Sequence, residues 1–323
     1  MAVYTQLGAE AMAALIATYD VGTLVSAKGI AEGVSNSNWL IETTGRTGTA
    51  TRYILTMYEF RIDIAELPYF LTLLDHLAAH GCPVPRTIHN AQGALYTMVG
   101  DKAVALIEFL PGVSVSVPTV GQARAAGAEL ARLHRAASDF PAHRANGMGI
   151  AEWHRLAQAC GPDGLAAIDP TLAALVAQDL PRIAAAWPTD LPRTVIHADL
   201  FPDNVLVLGD RITGLIDFYF ACNDIAAYDV AITHLAWCWD TRTGALRDDL
   251  SRALLAGYAA ERPLSAAERA ALPLLAQAAA MRFVLSRAYD WLNTPADALV
   301  TRKDPLPLAE RLRLYRDNPG IFA

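Results

Sequence analysis

The chain has 323 residues, with 26 Lys plus Arg against 33 Asp plus Glu and a formal charge of -7. That length accommodates two lobes with cores of their own, and an acidic balance without a basic tract argues against a general binder of nucleic acid or of anionic membrane surfaces. The cysteines Cys82, Cys160, Cys222 and Cys238 form no CxxC pair and read as buried thiols of a reducing compartment. No basic residue precedes Lys28, unlike the charged start of a signal peptide, and the apolar stretch from Leu264 to Met281 is broken by Glu268, Arg269 and Pro273. A cytoplasmic address is expected.

In chain order, residues 7–19 read as a short amphipathic helix. Strands are expected over 23–34, 37–43 and 51–58, the last alternating and rich in Tyr, Ile and Leu. Residues 66–80 place Leu67, Phe70, Leu71, Leu74 and Leu77 on one helical face, and Gly81, Pro83 and Pro85 stop the helix. Strands at 94–99 and 102–109 complete a five-stranded unit with one inserted helix. Beyond Gly121 the texture changes to long Ala- and Leu-rich helical stretches. The expected division therefore falls at Leu110-Pro111-Gly112, giving lobes 1–110 and 111–323. The fold class is α+β: a bilobal, protein-kinase-like arrangement with a small antiparallel-sheet N-lobe and a mainly helical C-lobe.

The chemistry concentrates between Val195 and Ala221. A short apolar strand leads into His197-Ala198-Asp199, and Asn204 follows five residues after the Asp. Strand-like segments 205–208 and 212–216 flank the turn Gly209-Asp210-Arg211, so antiparallel pairing is expected to return Asp217 to the side of Asn204. Asp, four residues, Asn, then Asp-Phe is the spacing of a kinase catalytic loop and its metal-binding segment, although Ala198 stands where Arg is usual. Asp199 is the candidate catalytic residue, which positions an acceptor hydroxyl and takes its proton. Asn204 and Asp217 are the candidate Mg2+ ligands across the phosphates of ATP. His197 reads as structural, and Asp229 as a residue that ties the loop down.

For ATP itself there is neither a G-x-x-x-x-G-K-[ST] nor a G-x-G-x-x-G sequence. The run Gly33 to Asn38 is the candidate phosphate loop, with Ser35, Asn36, Ser37 and Asn38 as its polar members. Adenine is expected against Ile107 to Leu110, with Glu108 and Leu110 at the contact. The third strand offers Thr56 where a lysine is usual. Lys28 is the best-placed substitute cation, ahead of Arg52 and Arg61.

HADLFPDNVL, LIDFYFA and DIAAYDVA resemble the aminoglycoside phosphotransferase and choline kinase superfamily. Within it, residues 29–43, 52–59 and 282–295 are similar to the bacterial homoserine kinases built on the kinase-like fold, and the match runs in order to about Arg313. The resemblance implies ATP-dependent phosphorylation of the side-chain hydroxyl of L-homoserine, a step toward threonine, by a small-molecule enzyme with neither nucleic-acid nor membrane partners. The oligomeric state is left open. An amino-acid acceptor needs a cation and an anion, for which Arg282, Arg287 and Asp290 in one helical stretch are the candidates. The competing readings are a related kinase acting on an aminoglycoside, choline or another alcohol, and a kinase-shaped binding protein without activity. The second conflicts with the joint presence of Asp199, Asn204 and Asp217.

Overall fold

The computed structural model describes residues 7–30, 36–59, 63–294 and 302–322. Contacts divide the chain into two compact units, residues 1–112 with 213–219, and residues 113–212 with 220–323. The short segment 213–219, which contains Asp217, thus associates with the first unit.

The first unit opens with α1 (Ala9–Ile16), β1 (Leu24–Ile30), β2 (Asn36–Thr43), β3 (Thr51–Tyr58), α2 (Leu67–Ala79), β4 (Thr87–Ile88), β5 (Thr97–Val99) and β6 (Lys102–Glu108). The strands form one antiparallel sheet of six in the order β1-β2-β3-β6-β4, with β5 also on β6. The expected count was five. The extra strand, β4, is two residues long and carries no alternation that a sequence could reveal; pairing of Thr87 with Ile107 creates it. α2 stops where Gly81 takes a φ of +81°, a left-handed conformation that costs glycine little.

Register fixes what each face of this sheet carries, because directly paired residues point the same way. One face buries Trp39, Ile41, Leu55, Met57, Val104 and Leu106 under Met12, Leu15 and Ile16 of α1. The other buries Tyr58, Ala103, Ala105 and Ile107 under Leu67 and Leu71 of α2. Two rows cross this second face. Lys28 pairs with Leu40, Leu40 with Ile54, and Ile54 with Ile107; Ile30 pairs with Asn38, Asn38 with Thr56, and Thr56 with Ala105.

The second unit continues with β7 (Val113–Ser114), α3 (Val120–Ala136), α4 (Ile150–Ile168), α5 (Leu172–Ala185), β8 (Arg193–Ile196), β9 (Val205–Leu208), β10 (Arg211–Leu215, which runs on into 213–219), β11 (Cys222–Ile225), α6 (Ala226–Trp237), α7 (Asp248–Glu261), α8 (Ala266–Asn293) and α9 (Leu306–Asp317). Small sheets β10-β9-β7 and β11-β8 sit among these helices. Thr119 with Gln122, and Ser265 with Glu268, form reciprocal capping boxes that start α3 and α8. α4 bends at Gly161-Pro162, where Gly161 leaves helical geometry. Helices α3 and α7 cross at two glycines: a Cβ on Gly127 would lie 2.0 Å from Leu254 O, and one on Gly257 would lie 1.9 Å from Arg124 O. α6 is buried around nearly its whole circumference, as expected of a central helix. No helix among the described residues is long and apolar enough to cross a membrane.

Candidate active site

Residues 197–204 follow β8, and their shape is imposed by side chains from other elements. Ala198 has a φ of +63°, in the left-handed region, which costs a non-glycine residue roughly 1–2 kcal/mol. Both of its backbone groups are gripped. Its N–H donates to Asp229 Oδ1 (2.9 Å), and its carbonyl accepts from Arg282 Nη1. The other carboxylate oxygen of Asp229 accepts from His197 N (2.7 Å) and meets His134 Nε2 at 3.0 Å. His134 Nδ1 in turn meets Tyr258 Oη at 2.8 Å. Burial alone would push the Asp229 carboxyl up; the hydrogen bond and charge of His134, together with those of His197, outweigh it and hold Asp229 below the ordinary value.

Asp199 is fixed next. Its N–H donates to His197 Nδ1 (3.2 Å), its carbonyl accepts from Phe201 N (2.8 Å) and from Asn204 Nδ2 (2.8 Å), and Asn204 Nδ2 also lies 3.4 Å from Asp199 Oδ2. Trp237 at the end of α6 donates to Leu200 O (2.9 Å). With Nδ2 committed to Asp199, Asn204 presents its Oδ1, a hard oxygen ligand, as its remaining polar end. The carboxylate is therefore held at the head of a loop with little freedom to retreat.

In the first unit, Leu215 N donates to Pro83 O (2.7 Å), and Tyr219 Oη lies 3.2 Å from Tyr58 Oη. The Tyr219 ring stands edge-on to those of Tyr58 and Phe70, with centroids 5.6 and 5.7 Å away. Between these anchors Asp217 has a φ of +66°, a conformation for which Asp is among the more tolerant residues. The anchors aim its carboxylate through backbone geometry.

Of the expected nucleotide residues, Ser35 and the rest of 31–35 lie outside the described residues, as does Arg61. Asn36 is 6% exposed, and its Oδ1 has no hydrogen-bond partner among the described residues. Asn38 Oδ1 accepts from Thr56 Oγ1 (2.8 Å), so the threonine in the lysine position orients the asparagine beside it. Lys28 shares that face and is exposed. Ser37 points to the opposite face, where its Oγ donates to Glu59 Oε1 (2.6 Å) and Lys102 Nζ pairs with Glu59. Arg52 pairs with Glu42 at 3.8 Å on the surface. The amide of Glu108 donates to Arg86 O (2.9 Å) while its carboxylate accepts from Arg86 N (3.2 Å). Leu110 is half-buried just beyond β6.

The expected acceptor residues separate. Arg282, 1% exposed, is turned under the loop and not toward an acceptor: its guanidinium holds Ala198 O between the rings of Phe220 and Phe283, 5.3 and 4.5 Å from their centroids. Arg287 stands half-buried within the electrostatic reach of Asp199. Asp290 is exposed and forms no ion pair with Arg287 or any other described residue. Sequence reasoning missed His134, whose segment Leu133-His134-Arg135 reads as an ordinary helix end, and Tyr258; the first supports Asp229 and the second supports His134, each from an element distant in the chain.

Residues 26–264 match the model of the phosphotransferase enzyme family. The homoserine kinase of Azorhizobium caulinodans is 48% identical over 98% of this chain and 96% of its own length. That of a Caulobacter species is 49% identical over 100% of this chain and 99% of its own. Among solved structures, an amicoumacin kinase in complex with AMP-PNP, Ca2+ and amicoumacin superposes with a TM-score of 0.72 at 15% identity, covering 98% of this chain and 95% of that one, a likeness of protein-kinase-like fold alone. With its sheet unit and a helical unit that carries the His-x-Asp loop, the chain belongs to the phosphotransferase enzyme family and, within it, to the homoserine kinases.

Proposed function

We infer that the protein transfers the γ-phosphate of ATP to the side-chain hydroxyl of L-homoserine, giving O-phospho-L-homoserine on the way to threonine. The observation that carries the mechanism is the fixation of Asp199 at the head of a loop whose every turn is hydrogen-bonded. A bond forms from the homoserine oxygen to the γ-phosphorus as the bond from that phosphorus to the β-γ bridging oxygen breaks, and ADP leaves. Asp199 accepts the hydroxyl proton. A carboxylate is a weak base, so the larger part of its contribution is holding the oxygen in line with the phosphorus.

Asn204 Oδ1 and the Asp217 carboxylate are oxygen donors of the kind Mg2+ takes, and both reach their positions through fixed backbone. Asn204 and Asp217 would hold a magnesium ion, which when bound would offset charge developing on the transferring phosphoryl group. Asn36, Asn38 and the amides of 36–38 form the polar side of the phosphate site, with Lys28 as its cation on the same sheet face. Ile107, on that face near the end of β6, gives adenine an apolar contact. Since the Glu108 amide is already committed to Arg86, the adenine donor falls to the Leu110 amide and its acceptor to the Glu108 carbonyl. Arg287 is the acceptor-side cation, whereas Arg282 serves the loop.

The test is an ADP-release assay on purified protein with Mg-ATP and a panel of L-homoserine, choline, ethanolamine and an aminoglycoside, with the product identified by phosphorus NMR. Turnover of choline or an aminoglycoside without turnover of L-homoserine would sink this reading.

A further inference from the structure

Arg287 and Arg311, two half-buried guanidiniums of the second unit, bond only to backbone carbonyls among the described residues. Arg287, on α8 one turn beyond Phe283, donates from Nη1 to Asp304 O (3.1 Å). Arg311, on α9, donates from Nη1 to Leu235 O (2.7 Å) and lies over the Trp239 ring, 5.1 Å from its centroid. Both are half-buried, and among the described residues no carboxylate lies within salt-bridge distance of either. A guanidinium carries five N–H donors in a planar fork, so these backbone bonds leave most of each fork unmatched.

Arg287 stands within the electrostatic reach of Asp199, and Arg311 within that of Arg287. Phe283 packs edge-on against Phe201 at 5.0 Å, which turns that face of α8, and Arg287 with it, toward the loop. The end of α6 that receives Arg311 is the end whose Trp237 holds Leu200 O. Burial pushes Arg287 below its ordinary value, with the charges of Asp199, Asp304 and Asp203 opposing the shift. Burial also pushes Arg311 down to about 10, and the neighbouring Arg287 charge adds to it. Arginine keeps its proton in proteins, so the cost persists as two partly desolvated, mutually repelling cations. An anion shared between them relieves both penalties.

We propose that Arg287 and Arg311 together receive the α-carboxylate of the amino-acid acceptor and thereby set the reach from that carboxylate to the hydroxyl at Asp199. The proposal rests on the homoserine reading and adds Arg311, a residue 24 positions beyond Arg287 on a separate helix. A bidentate fork-to-carboxylate contact explains why a pair of arginines, not lysines, stands there.

The test compares L-homoserine with 3-amino-1-propanol, which is the same molecule without the carboxylate. In Arg311→Gln and in Arg287→Gln, kcat/KM for L-homoserine is expected to fall about 30-fold or more, with kcat/KM for 3-amino-1-propanol and KM for ATP within about twofold of wild type. Equal losses for both acceptors, or a raised KM for ATP with unchanged acceptor preference, would overturn the proposal and assign the pair to the loop or to phosphate. Arg311→Lys keeps the charge and stem if Arg311→Gln fails to fold; it should still lose about fivefold on L-homoserine alone, and no selective loss overturns the proposal. Calorimetry on the same proteins separates the two claims. Failure of wild type to phosphorylate L-homoserine breaks the functional reading, whereas wild-type affinity for L-homoserine in Arg311→Gln breaks the subsite.

Discussion

The two working regions of this molecule are built on opposite plans. The Asp199 loop is held by Asp229, His134, His197 and Arg282, each at most 2% exposed, so its geometry exists before any substrate arrives. The strand that carries Lys28 has five consecutive exposed residues and lies at the edge of its sheet. On the proposed roles of Asp199 and Lys28, the contrast follows from what each must handle. An acceptor hydroxyl is neutral and brings no strong field of its own, so the protein must supply alignment. A nucleotide brings concentrated negative charge, and cations reaching in from the surface suffice to meet it.

Five variants break or sharpen that contrast. Asp199→Asn removes the proposed proton acceptor while preserving the loop, and kcat should drop roughly a thousandfold with KM for ATP unchanged, mid-range for loss of a positioned base. Near-normal turnover in steady-state assays would mean the proton goes elsewhere. Asp229→Ala attacks the plan itself: two backbone N–H groups and a buried His134 lose their acceptor, at a cost of about 3 kcal/mol read from urea denaturation. A loss under about 1 kcal/mol would show that the loop holds its own shape.

On the nucleotide side the expected effects are smaller. Lys28→Met should raise KM for ATP about tenfold, equivalent to about 1.4 kcal/mol. Lys102→Met, on the other face of the sheet, should lower stability and leave KM for ATP within about twofold. The reverse pattern would exchange the roles of the two faces.

The smallest effect is on acid sensitivity. His234 is fully buried between Tyr315 Oη (2.7 Å) and Ser251 Oγ (2.8 Å), and burial depresses its pKa to about 3. The unfolded chain takes up a proton below about pH 6.5 that the folded one refuses until about 3, so this contribution is fully present above 6.5 and is lost as pH falls through that window. Between pH 7 and 6 the loss is about 0.7 kcal/mol. His234→Gln should flatten this part of the pH profile of unfolding; an unchanged slope assigns it to other groups.

What the sequence disclosed divides along similar lines. The interval from His197 to Asp217 is legible because chemistry there demands particular residue types at particular spacings, and no strand needs His, Asp, Asn and Asp at its ends. The tie from Asp229 to the loop was legible for the same reason. β4 was not, since two residues carry no periodicity and their strand character comes entirely from Ile107 and Leu106 across the sheet. A charged side chain five residues before Arg287 looks equally available for an acceptor; only the structure reveals that Arg282 is buried and holds a carbonyl of the loop. His134 and Arg311 belong to helices whose local sequences give no hint of a destination nearly a hundred residues away, in one case, or of an unmatched charge, in the other. Such contributions become visible only once helices are assembled.

The crossing of α3 and α7 has a consequence for anyone who would make this enzyme hardier. Replacing a helical glycine by alanine is an ordinary route to thermostability, gaining about 0.5–1 kcal/mol. At Gly127 or Gly257 the added methyl would meet a carbonyl oxygen at 2.0 or 1.9 Å and act as a wedge. α3 could relieve it only by sliding outward, carrying His134 from its 3.0 Å contact with Asp229 two turns further along. A variant library ranked by helix propensity would thus put among its first choices two substitutions that loosen the Asp199 loop.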